Sequence, residues 1–248
     1  MGDKYKAEAE KALKRTTIFG FGKNAKFEDA AAAYTSAGNA YKLSKDWNDA
    51  AAMYMKAAEC QRETDSPNDC VNSYIEAANA FKKTANPKLA VDPLLLAIDI
   101  YTEGHRLTQI ARYYKEIAEL YEKERDIQNA IMYFDKAADI NEADNKQQAK
   151  TQMKLKVATL CSLEDDFATA AEIFEAAGYE SLESKLGAYS AKGYFFQCVV
   201  CHMAAGDTVA AKAKVDTFKS ADHNFPSSRE CNLLESLITV SSVYGYGV

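Results

Sequence analysis

Proline and glycine are scarce in these 248 residues, at 4 and 11. Tight turns and irregular loops draw on both, so their scarcity leaves long stretches open to helix. β-branched runs are also rare while alanine abounds, which weighs against a strand-built core. Only three histidines occur, His105, His202 and His223, with no nucleophile at a recognisable spacing from any of them. A phosphate-cradling glycine loop, an HExxH motif and two zinc-spaced cysteine pairs are all missing. The chain is therefore expected to be no enzyme and to need no metal or cofactor. No run approaches the ~18 apolar residues of a membrane span. An excess of positive charge is lacking too: 30 Lys and Arg stand against 36 Asp and Glu. A general nucleic-acid binder would show the opposite balance. In place of a secretory leader, Met1-Gly2-Asp3-Lys4-Tyr5-Lys6 opens a charged helix. Lys6 also occupies the position where a myristoylation signal wants Ser or Thr. Cys60, Cys70, Cys161, Cys198, Cys201 and Cys231 are accordingly expected to be reduced, buried thiols of a cytoplasmic protein.

What is present is a repeat. With Asp46, Asp126 and Asp166 superposed, Ala50, Ala130 and Ala170 follow four residues later. Tyr54, Phe134 and Phe174 come next, then Ala57, Ala137 and Ala177. The register recurs every 20 residues: the aromatic position reads Tyr34, Tyr54, Tyr74, Leu94, Tyr114, Phe134, Lys154, Phe174 and Tyr194. A small pair follows it, as in Ala37-Gly38, Ala57-Ala58, Ala77-Ala78, Ala137-Ala138 and Ala177-Gly178. These offsets put small and large residues on one side of a 3.6-residue helix, where the ring of one helix fills the groove beside the small residues of another. A 20-residue step holds ~14 helical residues and a short turn, and two steps make a helical hairpin. Turn chemistry falls at Asp65-Ser66-Pro67, Asn86-Pro87 and Glu164-Asp165-Asp166, each expected to supply an N-cap oxygen. Such hairpins bury their apolar faces only by stacking. The expected fold is all-α: a solenoid of tetratricopeptide-like hairpins over 1–184 and a C-terminal helical bundle over 185–248. Beyond Cys198 the register weakens, Ala210, Lys214 and Phe218 filling it poorly.

Three local features go beyond the repeat. Cys198-Val199-Val200-Cys201-His202 matches a c-type haem attachment pattern, but also reads as a buried helix face with thiols as packing residues. Thr16-Thr17-Ile18-Phe19-Gly20-Phe21-Gly22 places apolar residues between glycines, flanked by Lys4, Lys6, Lys11, Lys14, Arg15, Lys23 and Lys26. That is the composition of a weak anchor on an anionic membrane, or of a loop folded back onto the first hairpin. Lys146, Lys150 and Lys154 recur every four residues with Lys156 beside them. With Lys82, Lys83, Arg106, Arg112 and Lys115, they make either a solvated face or a basic surface for an elongated acidic partner.

Runs such as Ala80-Phe81-Lys82-Lys83, Ala97-Ile98-Asp99-Ile100-Tyr101-Thr102, Ile117-Ala118-Glu119-Leu120-Tyr121-Glu122, Tyr189-Ser190-Ala191-Lys192-Gly193-Tyr194-Phe195-Phe196 and Ser228-Arg229-Glu230-Cys231 resemble the soluble NSF attachment proteins, in the same order, to about residue 237. The resemblance implies an adaptor that coats the four-helix SNARE complex and recruits the hexameric ATPase NSF, which disassembles it in vesicle trafficking. It implies SNARE-binding positions at Lys45, Lys83, Arg106, Arg112, Lys156, Tyr189, Lys192 and Arg229. Membrane attachment would fall on Ile18, Phe19 and Phe21, making the protein cytoplasmic and peripheral on membranes. Two departures stand out. Gln152 replaces a SNARE-binding lysine, with Lys150 and Lys154 as its flanking substitutes. The run Ser241–Val248 does not resemble the family's ATPase-stimulating end segment, which leaves room for a shortened member that binds SNAREs without activating the ATPase. A generic tetratricopeptide-type scaffold is the other alternative.

Overall fold

The computed structural model describes residues 1–15, 23–183 and 187–244. Among them are twelve α-helices, one 3-10 turn at Pro87–Ala90 and no strand. The chain divides into two compact units, 1–125 and 126–248. The first holds α1 (Gly2–Leu13), α2 (Lys23–Ser44), α3 (Trp47–Arg62), α4 (Pro67–Phe81), α5 (Val91–Glu103) and α6 (Leu107–Lys123). The second holds α7 (Ile127–Ala143), α8 (Gln147–Leu163), α9 (Phe167–Leu182), α10 (Ala188–Ala204), α11 (Thr208–Ala221) and α12 (Arg229–Tyr244). Within each unit consecutive helices pack side by side, and α12 closes the second unit by packing on both α10 and α11. Each unit is a stack of tetratricopeptide-like hairpins, and the second ends in a small bundle.

Helices are longer and turns tighter than the 20-residue step suggested, because a recurrent backbone device ends several of them abruptly. Several helices run 16 or 17 residues. In six turns one residue takes a left-handed conformation: Lys45 (φ 64°), Asp65 (53°), His105 (51°), Arg125 (57°), Asn145 (54°) and Asp165 (60°). The next amide reaches back five residues, as from Asp46 to the Tyr41 carbonyl, Arg106 to Tyr101, Lys146 to Asn141 and Asp166 to Cys161. This is the closing bond of a Schellman-type stop. Asp166 caps α9 as expected, its carboxylate accepting from the Thr169 amide at 3.2 Å. Ser66 and Asn86 make no such side-chain cap. The Pro67 ring already removes one unsatisfied donor from the first turn of α4.

The predicted stripe is the core. Tyr54, Tyr74, Leu94 and Phe134 are fully buried, as are the small pairs at 57–58, 77–78, 137–138. Glycine marks the closest approaches. A Cβ on Gly38 would fall 2.8 Å from the Tyr54 ring, and one on Gly178 would fall 2.4 Å from that of Phe195. Past residue 184 the pattern continues one residue out of step. Gly206 (φ 78°) takes the left-handed place, and the Asp207 amide reaches back to the His202 carbonyl while its carboxylate caps Ala210 at 2.8 Å. Hence Ala211, Val215 and Phe218 are buried instead of Ala210 and Lys214, and Phe195 replaces Tyr194. Phe195 stacks on Phe218 with centroids 4.1 Å apart, and Phe225 meets both edge-on.

All six cysteines are buried and unbridged. Burial pushes the thiol of Cys70 up to about 11 and that of Cys198 up to about 12. Cys198 and Cys201 face the core of α10, with the Cys201 sulfur 3.8 Å from Ser162 Oγ. The haem-attachment reading is overturned: thiols in the packed interior cannot meet a porphyrin edge.

Candidate functional site

The candidate residues lie on or beside the even-numbered helices. Pairings across the first unit show why its α2, α4 and α6 form a layer. Lys42 Nζ binds Glu76 at 2.5 Å, and one 40-residue unit later Lys82 binds Glu116. The same bridge thus joins α2 to α4 and the end of α4 to α6.

Lys83 follows Lys82 at that end and is exposed, its Nζ 4.5 Å from the centre of the Trp47 ring. Lys45, two residues before Trp47, is exposed in the left-handed turn. Because α2 and α4 run parallel, Lys45 and Lys83 share one edge of the unit. Arg106 sits at the opposite edge, in the turn before α6. Arg112, further along α6, lines a groove with Lys82, Lys115 and Lys123, where Glu116 and Glu119 are the acids. Its guanidinium stands 5.4 Å from the Tyr113 ring. No ion-pair partner is found among the described residues for Lys45, Lys83, Arg106 or Arg112.

In the second unit Tyr189 and Lys192 lie on α10, the lysine Nζ 4.6 Å from the ring centre, and Tyr189 is 80% exposed. Lys192 also approaches Glu230 at 3.8 Å, which ties α10 to the start of α12 and brings Arg229 to the same place. The second Glu230 carboxylate oxygen is buried without a hydrogen bond. Lys156 is exposed on α8.

The lysine stripe on α8 turns out differently. Lys146 pairs with Asp144 at 2.7 Å, Lys150 with Glu142 at 2.5 Å and Lys154 with Asp135 at 2.9 Å. The hydrogen bond to Lys150 holds the Glu142 carboxyl below its usual range, and the same bond raises the lysine. Lys150 and Lys154, which flank Gln152, are thus each engaged by a carboxylate of the chain itself. Ile18, Phe19 and Phe21 lie outside the described residues. No helix among the described residues is long and apolar enough to cross a membrane.

Sequence reasoning missed Trp47, Lys42, Lys123 and Glu230. Trp47 had one signal, being the only tryptophan. The others act through residues more than 30 positions away or on another helix, which spacing along one helix does not reveal.

Stacked helical hairpins with charge on exposed helix faces define an all-helical protein of tetratricopeptide-like repeats. Its lineage is more specific: a profile described as "Soluble NSF attachment protein, SNAP" matches residues 1–243, and the chain belongs to that family. The alpha-soluble NSF attachment protein of Dictyostelium discoideum is 44% identical over 96% of this chain and 84% of its own length. The human alpha protein is 35% identical over 94% of this chain and 79% of its own, and the Bos taurus beta protein 36% over 94% and 78%. Among solved structures, a Pyrococcus horikoshii signal-transduction ATPase with a tetratricopeptide repeat sensor overlaps at TM-score 0.49 and 13% identity, covering 96% of this chain and 35% of that one. That likeness adds nothing to the fold seen in the helices themselves.

Proposed function

We propose that this chain is an adaptor of intracellular vesicle trafficking: it binds assembled SNARE complexes and brings the ATPase NSF to them. The observation that carries the reading is a sorting of charge. Lysines at 42, 82, 146, 150, 154, 214 and 219 are held by carboxylates of the chain itself. Five of the positions that the family resemblance singles out are otherwise disposed, while a sixth, Lys192, approaches Glu230 at 3.8 Å. Lys45, Lys83, Arg106, Arg112 and Arg229 are exposed with no such partner among the described residues, in a chain of net charge −6. Cations kept unneutralised in an acidic protein favour a partner of opposite sign.

Division of labour follows the chain, with hairpins 1–184 and bundle 185–248 both touching SNAREs. Ile18, Phe19 and Phe21 serve as the membrane contact of a cytoplasmic, peripherally bound protein, and no catalysis is assigned to the chain. Its readout is pull-down of an assembled SNARE bundle at low and moderate salt. Binding should fall steeply with salt and drop about tenfold or more when Arg112 and Lys156 are both reversed to Glu. Absence of binding at low salt refutes the adaptor reading. SNARE disassembly with purified NSF, with and without the chain, separately tests coupling to the ATPase.

A further inference from the structure

Three ammonium groups surround one cleft of about 340 Å³ in the first unit, lined by Lys42, Trp47, Asn79, Ala80, Lys82 and Lys83. Two of them are neutralised, Lys42 by Glu76 and Lys82 by Glu116. Lys83 is held in another way, over the face of an indole that belongs to α3 while the lysine follows α4. An aromatic face attracts a cation through its quadrupole and leaves the charge unneutralised. It also restricts a side chain that would otherwise lose much rotamer freedom when a partner fixed it. Trp47 is half-buried. Lys45 adds a further exposed cation two residues away.

We propose that Trp47 is a positioning residue of the partner-binding surface. Its ring parks the Lys83 ammonium at the mouth of the cleft, where a carboxylate from an acidic helical partner docks. The neutralised Lys42 and Lys82 shape the walls, and Lys83 supplies the attraction. This deepens the SNARE-binding reading and rests on it.

The experiment measures affinity of the full chain for a labelled, assembled SNARE bundle by anisotropy at low salt. The proteins compared are wild type, Trp47→Phe, Trp47→Leu, Lys83→Met and the Trp47→Leu/Lys83→Met double variant, each with its thermal midpoint. Trp47→Leu should weaken binding about two- to fivefold, and Trp47→Phe should recover most of the loss. On the Lys83→Met background, Trp47→Leu should change nothing further. A merely structural role predicts equal losses on both backgrounds and no rescue by Phe, and either result overturns the proposal. If wild type binds and Lys83→Met binds equally well, the cleft is unused and the proposal fails while the adaptor reading stands. If wild type does not bind, the adaptor reading fails and the proposal with it.

Discussion

Placing one methyl group on Gly178 tests the packing logic of the whole stack. The new Cβ would lie 2.4 Å from one Phe195 ring carbon, 2.6 Å from a second and 3.2 Å from a third. That ring has nowhere to go: Phe195 is fully buried, stacked 4.1 Å from Phe218 and edged by Phe225. Exchanging Gly for Ala inside a helix gains roughly 0.8–1 kcal/mol of propensity. Overpacking a rigid core costs about 1–3 kcal/mol, with this clash at the upper end. The net expectation for Gly178→Ala is a loss of about 1–2 kcal/mol, or roughly 2–8 °C in thermal midpoint for a chain of this size. Gly193 on α10 is the matched control, because a Cβ there meets nothing within 4 Å. Gly193→Ala should therefore stabilise by up to about 1 kcal/mol. Circular-dichroism melts of the two variants should move in opposite directions, and Phe195→Leu added to Gly178→Ala should recover part of the loss. A Gly178→Ala midpoint at or above wild type would refute the close-approach argument.

Asp165→Gly should raise stability by about 0.5–1 kcal/mol in denaturant melts, since a left-handed residue with a Cβ is strained by more than glycine's extra chain entropy. Asp207→Ala should cost about 1 kcal/mol by removing the carboxylate that caps α11. Native protein at pH 8 should leave its six buried thiols largely unreactive toward a disulfide reagent, with all six reacting after denaturation. Prompt reaction of Cys198 in the folded state would contradict its placement. Tyr54, buried and pushed up to about 12, keeps its proton in the folded chain after an unfolded tyrosine has lost its own near 10. Its contribution is intact below pH 10 and is lost as pH climbs from there to about 12. Alkaline melts should accordingly be less steep with pH in Tyr54→Phe.

The helical class and the buried stripe were legible because small and large residues recur at one helical period, every 20 positions. The turn device was not, since Lys45, His105 and Arg125 hold left-handed places where glycine is the expected signal. One extra residue before Asp207 hid the repeat in α11, although Asp207 caps its helix just as Asp166 does. At the site, the exposed cations were readable from the family resemblance, and their electrostatic state was not. The Lys146, Lys150 and Lys154 stripe contains no acid of its own, yet acids before the helix neutralise it. Trp47 and Lys83 meet only because α3 and α4 pack together, a relation invisible to periodicity.

The division between neutralised and unneutralised cations is tested most directly by charge reversal at both kinds of position. Affinity for an assembled SNARE bundle should fall about tenfold or more when Lys83 and Arg112 become Glu. It should fall little when Lys146 and Lys154 do, provided both proteins retain wild-type helicity. Equal losses from the two pairs, or no loss from the first, would contradict the account.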